Sequence, residues 1–473
     1  MATNKKRLCV IGCGTYGSYL ISRLVTLADE YAYDIVVLEV GNEVTKNEQE
    51  IGFESVSPNS KASKDGRYFG FGGTSTRWGG QVLFYDNRDA TDEVWGKIVE
   101  INQKYEHHVV KHLLGDVPKI KEPQNIKAGI WLKYQKRNIF KYIPKQKKHE
   151  LNIISCARVT RFVFEGSKLK TVCYQKEGEI EQDLEADVFY LTAGAIESCR
   201  LLLEVKEQYS FGSWSDLGKN FGDHLSVELF KVKNTKPILE KEDFVPYFYK
   251  GNLITKRLLV SAKNGRSGFA HVVINKDVQF FSALKKMLFG KQEVRLNFFE
   301  LLRGLEFMLR LGLNVVFFKK LYAHRNNWSV QLDIEQAFPN ANYIRLADET
   351  DRFGQRIPVI DWQKSPEDQA VILELKEYLA QYLHAQKIPF ESVYHENSGV
   401  DKVEDAYHPV GFIRFGIDDK AVLNEYGKVK GTDNLYHFST AMFPSAKSIN
   451  PTAAVFCFIE HHLQSIYTRF SNR

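Results

Sequence analysis

The chain has 473 residues, with 44% hydrophobic, 13% aromatic and 26% charged side chains, a profile that suits a globular protein large enough for two domains around a sizeable core. Its 64 basic and 58 acidic residues leave a net charge of +6, too small over this length to argue for nucleic acid as a partner. Six scattered cysteines with no CxxC pair exclude a disulfide scaffold and read as reduced core residues.

The chain opens on a short apolar strand (Leu8, Val10, Ile11) that runs into Gly12-Cys13-Gly14-Thr15-Tyr16-Gly17. A helical pattern follows (Leu20, Leu24, Ala28), then a second apolar strand, Ile35 to Leu38, which ends on Glu39. Strand, glycine turn, helix, strand and acid in this order are what an adenine dinucleotide requires. Gly12 permits the tight turn, Gly14 lets backbone approach a diphosphate, and Gly17 lets helix and strand pack closely. The helix N-terminus offers the phosphates free N–H groups, and Glu39 can accept from a ribose hydroxyl. The basic Lys5-Lys6-Arg7 resembles the start of an export signal, but the apolar run after it breaks at once into the glycine turn. No stretch approaches the roughly twenty apolar residues that span a bilayer, so the expected location is the cytoplasm.

A second glycine-rich stretch, Gly70 to Gln81, holds Gly72, Gly73, Thr74, Arg77, Trp78, Gly79 and Gly80. Glycines so close together predict backbone pressed against a ligand. Lys127 to Lys148 carries eight Lys or Arg and no acid; it reads as a solvated face, with an anionic substrate or a membrane surface as sharper alternatives. Leu151 to Tyr174 alternates like paired strands around Glu165-Gly166-Ser167. Val188 to Leu191 predicts a buried strand that ends in Thr192-Ala193-Gly194, with a helix from Ala195.

From about Val227 to Glu404 the pattern mixes alternating strands (Phe269 to Ile274, Ser329 to Ile334, Tyr343 to Ala347) with a helix over Pro366 to Leu383. Phe298, Leu301, Leu302, Leu305 and Leu309 fall at helical spacing, and the uncharged run Leu311 to Phe318 follows. Core or subunit packing is the expectation there, with docking in a membrane interface as the alternative. The C-terminal segment holds His408-Pro409-Val410-Gly411, a strand after Asp433-Asn434, and Asn450-Pro451-Thr452 before a helical pattern. Asn as cap and Pro at the first helical position would start that helix. His108 and His112 share a helical face without a third ligand, so no metal site is expected.

These motifs, in order and almost end to end, resemble the glucose–methanol–choline (GMC) family of FAD-dependent oxidoreductases. The resemblance rests on Gly12 to Gly17 with Glu39, on Gly72 to Gly80, on Ala193 to Ser198, on Leu217 to His224, and on Gly411 to Gly416 with Asn450-Pro451-Thr452. It implies an α/β, Rossmann-like FAD-binding domain built from discontinuous segments (1–85, 150–226 and 405–473). A substrate domain (86–149 and 227–404) with an antiparallel sheet and helices would make the whole α+β. Cofactor contacts are implied at Gly12, Gly14, Thr15, Gly17, Glu39, Gly72, Gly73, Thr74, Trp78, Gly79, Val159, Ala193, Gly194, Asn450, Pro451 and Thr452.

The resemblance further implies His408 as the base that takes a hydroxyl proton and Asn450 as its partner, a pair similar to that in pyranose 2-oxidase. Arg77 stands where such relatives carry a flavin-linked histidine, so FAD is expected to be non-covalent. His224 is expected to pack between domains, and His437, His461 and His462 to be structural. Phe438-Ser439-Thr440 and Ala446-Lys447 depart from the family pattern near the flavin. The implied activity is oxidation of a secondary alcohol, a sugar or glycoside hydroxyl, to a ketone by hydride transfer to flavin N5. The expected partners are that small molecule and an electron acceptor (oxygen, a quinone or a redox protein), with membrane or oligomer contact through 298–318 left open. A dehydrogenase is expected over an oxidase. The alternatives are an oxidase of a non-sugar alcohol or sterol, a lyase in which FAD is structural, a flavin-binding membrane component without turnover, and an NAD-dependent dehydrogenase.

Overall fold

The computed structural model describes residues 5–31, 33–57, 66–117, 120, 122–212, 214–232, 245–274, 298–321 and 328–471. A five-stranded parallel sheet runs in the order Leu435–His437, Val188–Leu191, Arg7–Ile11, Asp34–Glu39, Asn152–Ser155. Its three inner strands are near-continuous apolar runs buried along almost their whole length, the pattern of a parallel sheet covered on both faces. The helices Thr15–Tyr31, Ala195–Gln208 and Thr452–Ser471 accompany it. Tyr19 of the first stacks on Phe456 of the last at 4.1 Å.

A hairpin, Arg158–Glu165 with Lys168–Gln175, follows the fifth strand as the alternation predicted. The Asn434 side chain bonds the backbone of both Leu169 and Asp187, which pins the hairpin to the strand that follows it.

The second layer is an antiparallel sheet of nine strands among the described residues. Its path is Phe390–Ser392, His224–Val232, Trp328–Glu335, Ser267–Ile274, Asn252–Ser261, Ile126–Trp131, Gln81–Val82. Tyr343–Thr350 and Arg356–Asp361 pair separately as a hairpin instead of joining this sheet. Pro366–Ala385 is the expected helix, opened by a Ser365 capping box and Pro at its first turn. Helix Glu93–Leu114, within the segment expected to belong to the substrate domain, packs on Thr452–Ser471. Its His112 bonds Ser22 Oγ at 2.9 Å, and its Tyr105 meets His461.

Helix Phe298–Leu313 and the turn Asn314–Phe318 do not pack as core. Among the described side chains, Gly304 and Phe307, about a helical turn apart, are the buried positions. Phe298, Phe299, Leu302, Leu305, Leu309, Leu313, Val316 and Phe317 are all exposed. At 100° per residue they lie on the side of the helix away from the body. The apolar spacing therefore belongs to an outward face. Among the described residues, no helix is long and apolar enough to cross a membrane. Five of the cysteines are buried and Cys156 is exposed; all six are free.

Candidate active site

The carboxyl ends of the parallel strands open into a cavity of about 730 Å³, where ligands bind in open α/β sheets. The two glycine stretches meet there. Gly12 has φ +95°, and a Cβ on it would lie 2.7 Å from Ala193 Cα. A Cβ on Gly17 would collide with the Gly12 carbonyl, so both glycines are fixed by the close approach of turn, helix and neighbouring strand. Gly14 differs: a Cβ there meets nothing within 4 Å, and Gly14 lines the cavity. Gly72 N–H donates to the Cys13 carbonyl at 2.8 Å, and Ser75 N–H to Thr15 Oγ1 at 3.1 Å. The second stretch thus braces the first.

Glu39 is buried, and burial pushes its pKa up while three amides pull it down. Those amides are Cys13 N–H at 2.6 Å, Gly41 N–H at 2.8 Å and Gly70 N–H at 3.0 Å. A carboxylate has about four acceptor positions, so Glu39 organises both turns and keeps about one position for a ligand hydroxyl.

Of the residues expected at the cofactor, Gly12, Gly14, Thr15, Glu39, Thr74, Trp78, Gly79, Val159, Ala193, Gly194, Asn450 and Thr452 line this cavity, as does His408. Gly17, Gly72, Gly73 and Pro451 lie behind the wall. Trp78 is held by its indole N–H, which donates to the Arg137 carbonyl at 2.8 Å. The Val159 carbonyl accepts from Gln355 at 3.0 Å. Arg77 lines the cavity with its guanidinium over the Tyr68 ring at 5.4 Å. Of the basic stretch Trp131 lines the cavity, but none of its Lys or Arg residues does. Its first lysine, Lys127, is buried and bonds Asp89 at 2.7 Å and Ser448 Oγ at 2.9 Å.

The far end of the cavity holds the polar chemistry. His408 follows Tyr407, whose φ of 62° is unusual for a bulky residue. Its Nδ1 lies 3.1 Å from Nδ1 of His224, the first residue of the strand His224–Val232. His224 Nε2 lies 2.8 Å from the Lys447 carbonyl oxygen. Asp223 is buried, and burial raises its pKa. Its carboxylate accepts from the backbone N–H of His224 at 2.6 Å, of Ala406 at 3.2 Å and of His408 at 2.8 Å. Burial also pushes both histidines below the usual imidazole pKa, His408 well below, helped by His224 and Arg257 nearby. Both rings are therefore neutral at pH 7.

Asn450 stands two residues before the last helix, Thr452–Ser471. Its Oδ1 accepts from Arg257 Nη2 at 2.8 Å, which leaves the amide NH₂ as the group it can offer the cavity. The same Nη2 donates to Gln81 Oε1 at 2.5 Å, and the guanidinium lies over the Phe269 ring at 3.8 Å. Sequence reasoning missed Arg257 and assigned His224 to packing alone. The Asp223-His224 motif was visible, but its partners lie 184 and 223 residues away in the chain.

The cavity suits an adenine dinucleotide with a redox-active ring. Gly14 leaves open space where a side chain would intrude, and Glu39 keeps an acceptor position. A neutral imidazole and an amide donor stand at the opposite end.

Residues 339–458 match the family model described as GMC oxidoreductase. Through that segment the chain is similar to GMC oxidoreductases. No curated protein sequence matches the chain. Among solved structures, pyridoxine 4-oxidase from Mesorbium loti aligns at 14% identity and a TM-score of 0.60, over 98% of this chain and 99% of its own. A formate oxidase of Aspergillus oryzae RIB40 aligns at 13% and 0.59 over 100% of both chains. An FAD-dependent oxidoreductase from Chaetomium thermophilum aligns at 12% and 0.59, over 99% of this chain and 100% of its own. At such identities these likenesses speak for the two-domain fold alone.

Proposed function

We propose that this chain oxidises a secondary alcohol, such as a sugar hydroxyl, to a ketone, with His408 as base and Asn450 holding the alcohol oxygen. The observation that carries the reading is one cavity with a dinucleotide-type glycine turn at one end and a neutral histidine beside an amide donor at the other. Bound FAD would supply the two-electron acceptor for the hydride. It would be held by Gly12, Gly14, Glu39, Thr74, Trp78, Val159 and Thr452, without a covalent link because Arg77 cannot form the bond a histidine would. The Asn450 NH₂ donates to the substrate oxygen, and an unprotonated His408 nitrogen takes its proton. Segments 1–85, 150–226 and 405–473 would carry the cofactor, and the antiparallel layer would cover the substrate. The basic stretch gives no support to an anionic sugar, because none of its Lys or Arg residues lines the cavity.

The test is anaerobic bleaching of the bound flavin by a panel of sugars, sugar phosphates, simple alcohols and sterols. His408→Ala should slow bleaching by about a hundredfold while FAD stays bound. An unchanged rate would remove His408 as the base. Bleaching by sterols or simple alcohols alone would remove the sugar reading, and peroxide formed at the turnover rate in air would make the protein an oxidase.

One further reading concerns partners. The outward apolar face of 298–318 is flanked by Arg303 and Lys319, with Arg310 paired to Glu306 at 2.7 Å, and its exposed Phe and Leu side chains support peripheral contact with an anionic bilayer.

A further inference from the structure

We infer that His224 is a positioning residue that fixes the ring tautomer of His408 and so decides which nitrogen can accept a proton. The inference rests on the reading of His408 as the base. A carbonyl oxygen only accepts, so the 2.8 Å contact with Lys447 fixes the His224 proton on Nε2. A neutral His224 then presents a bare Nδ1, which can only accept. The His408 nitrogen 3.1 Å from it must donate, so His408 carries its proton on Nδ1. The Nε2 of His408 is thereby left bare. It has no partner among the described residues, and the ring lines the cavity.

The chain of contacts is held from outside both rings. Asp223 fixes the backbone of both histidines through His224 N–H and His408 N–H. The rings stand at 88° to each other, and the Phe269 edge closes the far side of His224 at 5.5 Å. Lys447 keeps its carbonyl in place with a φ of 49°, an unusual backbone state for this residue type. The charged groups around the pair are Asp223, Arg257, Asp333 and Glu335. Asp333 is itself engaged by His271 at 3.0 Å, and Glu335 by the N–H and hydroxyl of Ser267. Among the described residues, no other acceptor lies within hydrogen-bond distance of either Nδ1.

The arrangement parallels the way a buried carboxylate orients a catalytic imidazole, except that the orienting group here is neutral. It leaves the base uncharged in a buried cavity, ready to take the proton released as hydride departs.

The experiment is NMR of the FAD-loaded protein with ¹⁵N-labelled histidine, the signals assigned through His408→Ala and His224→Asn, together with rapid-reaction kinetics. The expected wild-type spectrum has His408 protonated at Nδ1 and bare at Nε2. His224→Leu should mix the two tautomers and slow flavin reduction by about tenfold, a part of what a positioned general base contributes, with KM little changed. His224→Asn, whose amide oxygen takes the place of Nδ1, should restore the single tautomer and most of the rate. Because it keeps a polar group in the buried position, it also serves if the leucine variant does not fold.

A wild-type His408 protonated at Nε2 overturns the inference. So does a His224→Leu protein with unchanged tautomer and rate. If instead His408→Ala reduces its flavin normally while the spectrum is as expected, the tautomer assignment stands and the role of His408 as base falls.

Discussion

Lys256 and Arg257 are adjacent cations in the strand Asn252–Ser261, so they point to opposite faces of the sheet. Their sequence does not say which enters the core. The structure buries Arg257, with only neutral acceptors and a ring face around it: Gln81, Asn450, the Ser448 carbonyl and Phe269. Burial lowers its pKa, with Asp333 working the other way. An arginine so placed is a poor source of stability, but it holds the Asn450 amide in one orientation. Arg257→Met should therefore slow flavin reduction by about tenfold, ~1.4 kcal/mol of barrier, without lowering the melting temperature. A variant that loses stability in proportion to rate would show that the arginine is structural.

At the scale of elements, what was legible had a local cause. The strand–turn–helix around Gly12 and the hairpin around Gly166 follow from glycine spacing and alternation. The helix at Pro366 follows from a cap and a proline within one turn. The helix Phe298–Leu313 was equally legible as a helix, but its surroundings were not, because periodicity fixes which residues share a face and not what covers that face. With the apolar face turned outward, Leu305→Glu with Leu309→Glu should abolish co-sedimentation with anionic phospholipid vesicles. Oxidation of a small soluble alcohol should be unaffected. Equal pelleting of wild type and variant, or none by wild type, would dismiss the bilayer as its partner.

Across the whole molecule, several histidines are buried uncharged. Burial lowers His112 to about 4 and His437 to about 3, from 6.5. The unfolded chain takes up protons as pH falls below 6.5 and the native state does not, so stability drops across that window and is unaffected above it. His437 donates Nδ1–H to the Leu191 carbonyl, a bond that an asparagine amide can reproduce. His437→Asn should flatten the acid limb of a melting-temperature profile by up to about 1.4 kcal/mol per pH unit. An unchanged slope would assign the acid sensitivity elsewhere.

Long-range assembly is also what the sequence concealed about the site. Gly12 and Glu39 announce themselves within thirty residues, whereas the neighbours of His408 and Asn450 come from strands of the other layer. Asp223 shows what this means for a growing chain. Its carboxylate waits for amide donors at 406 and 408, 183 and 185 residues further along the chain, and an uncompensated buried carboxylate is costly until they arrive. The end of the cavity that holds His224 and His408 consequently cannot be completed before residues 406–408 are in place. A nascent or truncated chain can own its glycine turn and still lack the paired histidines at the cavity.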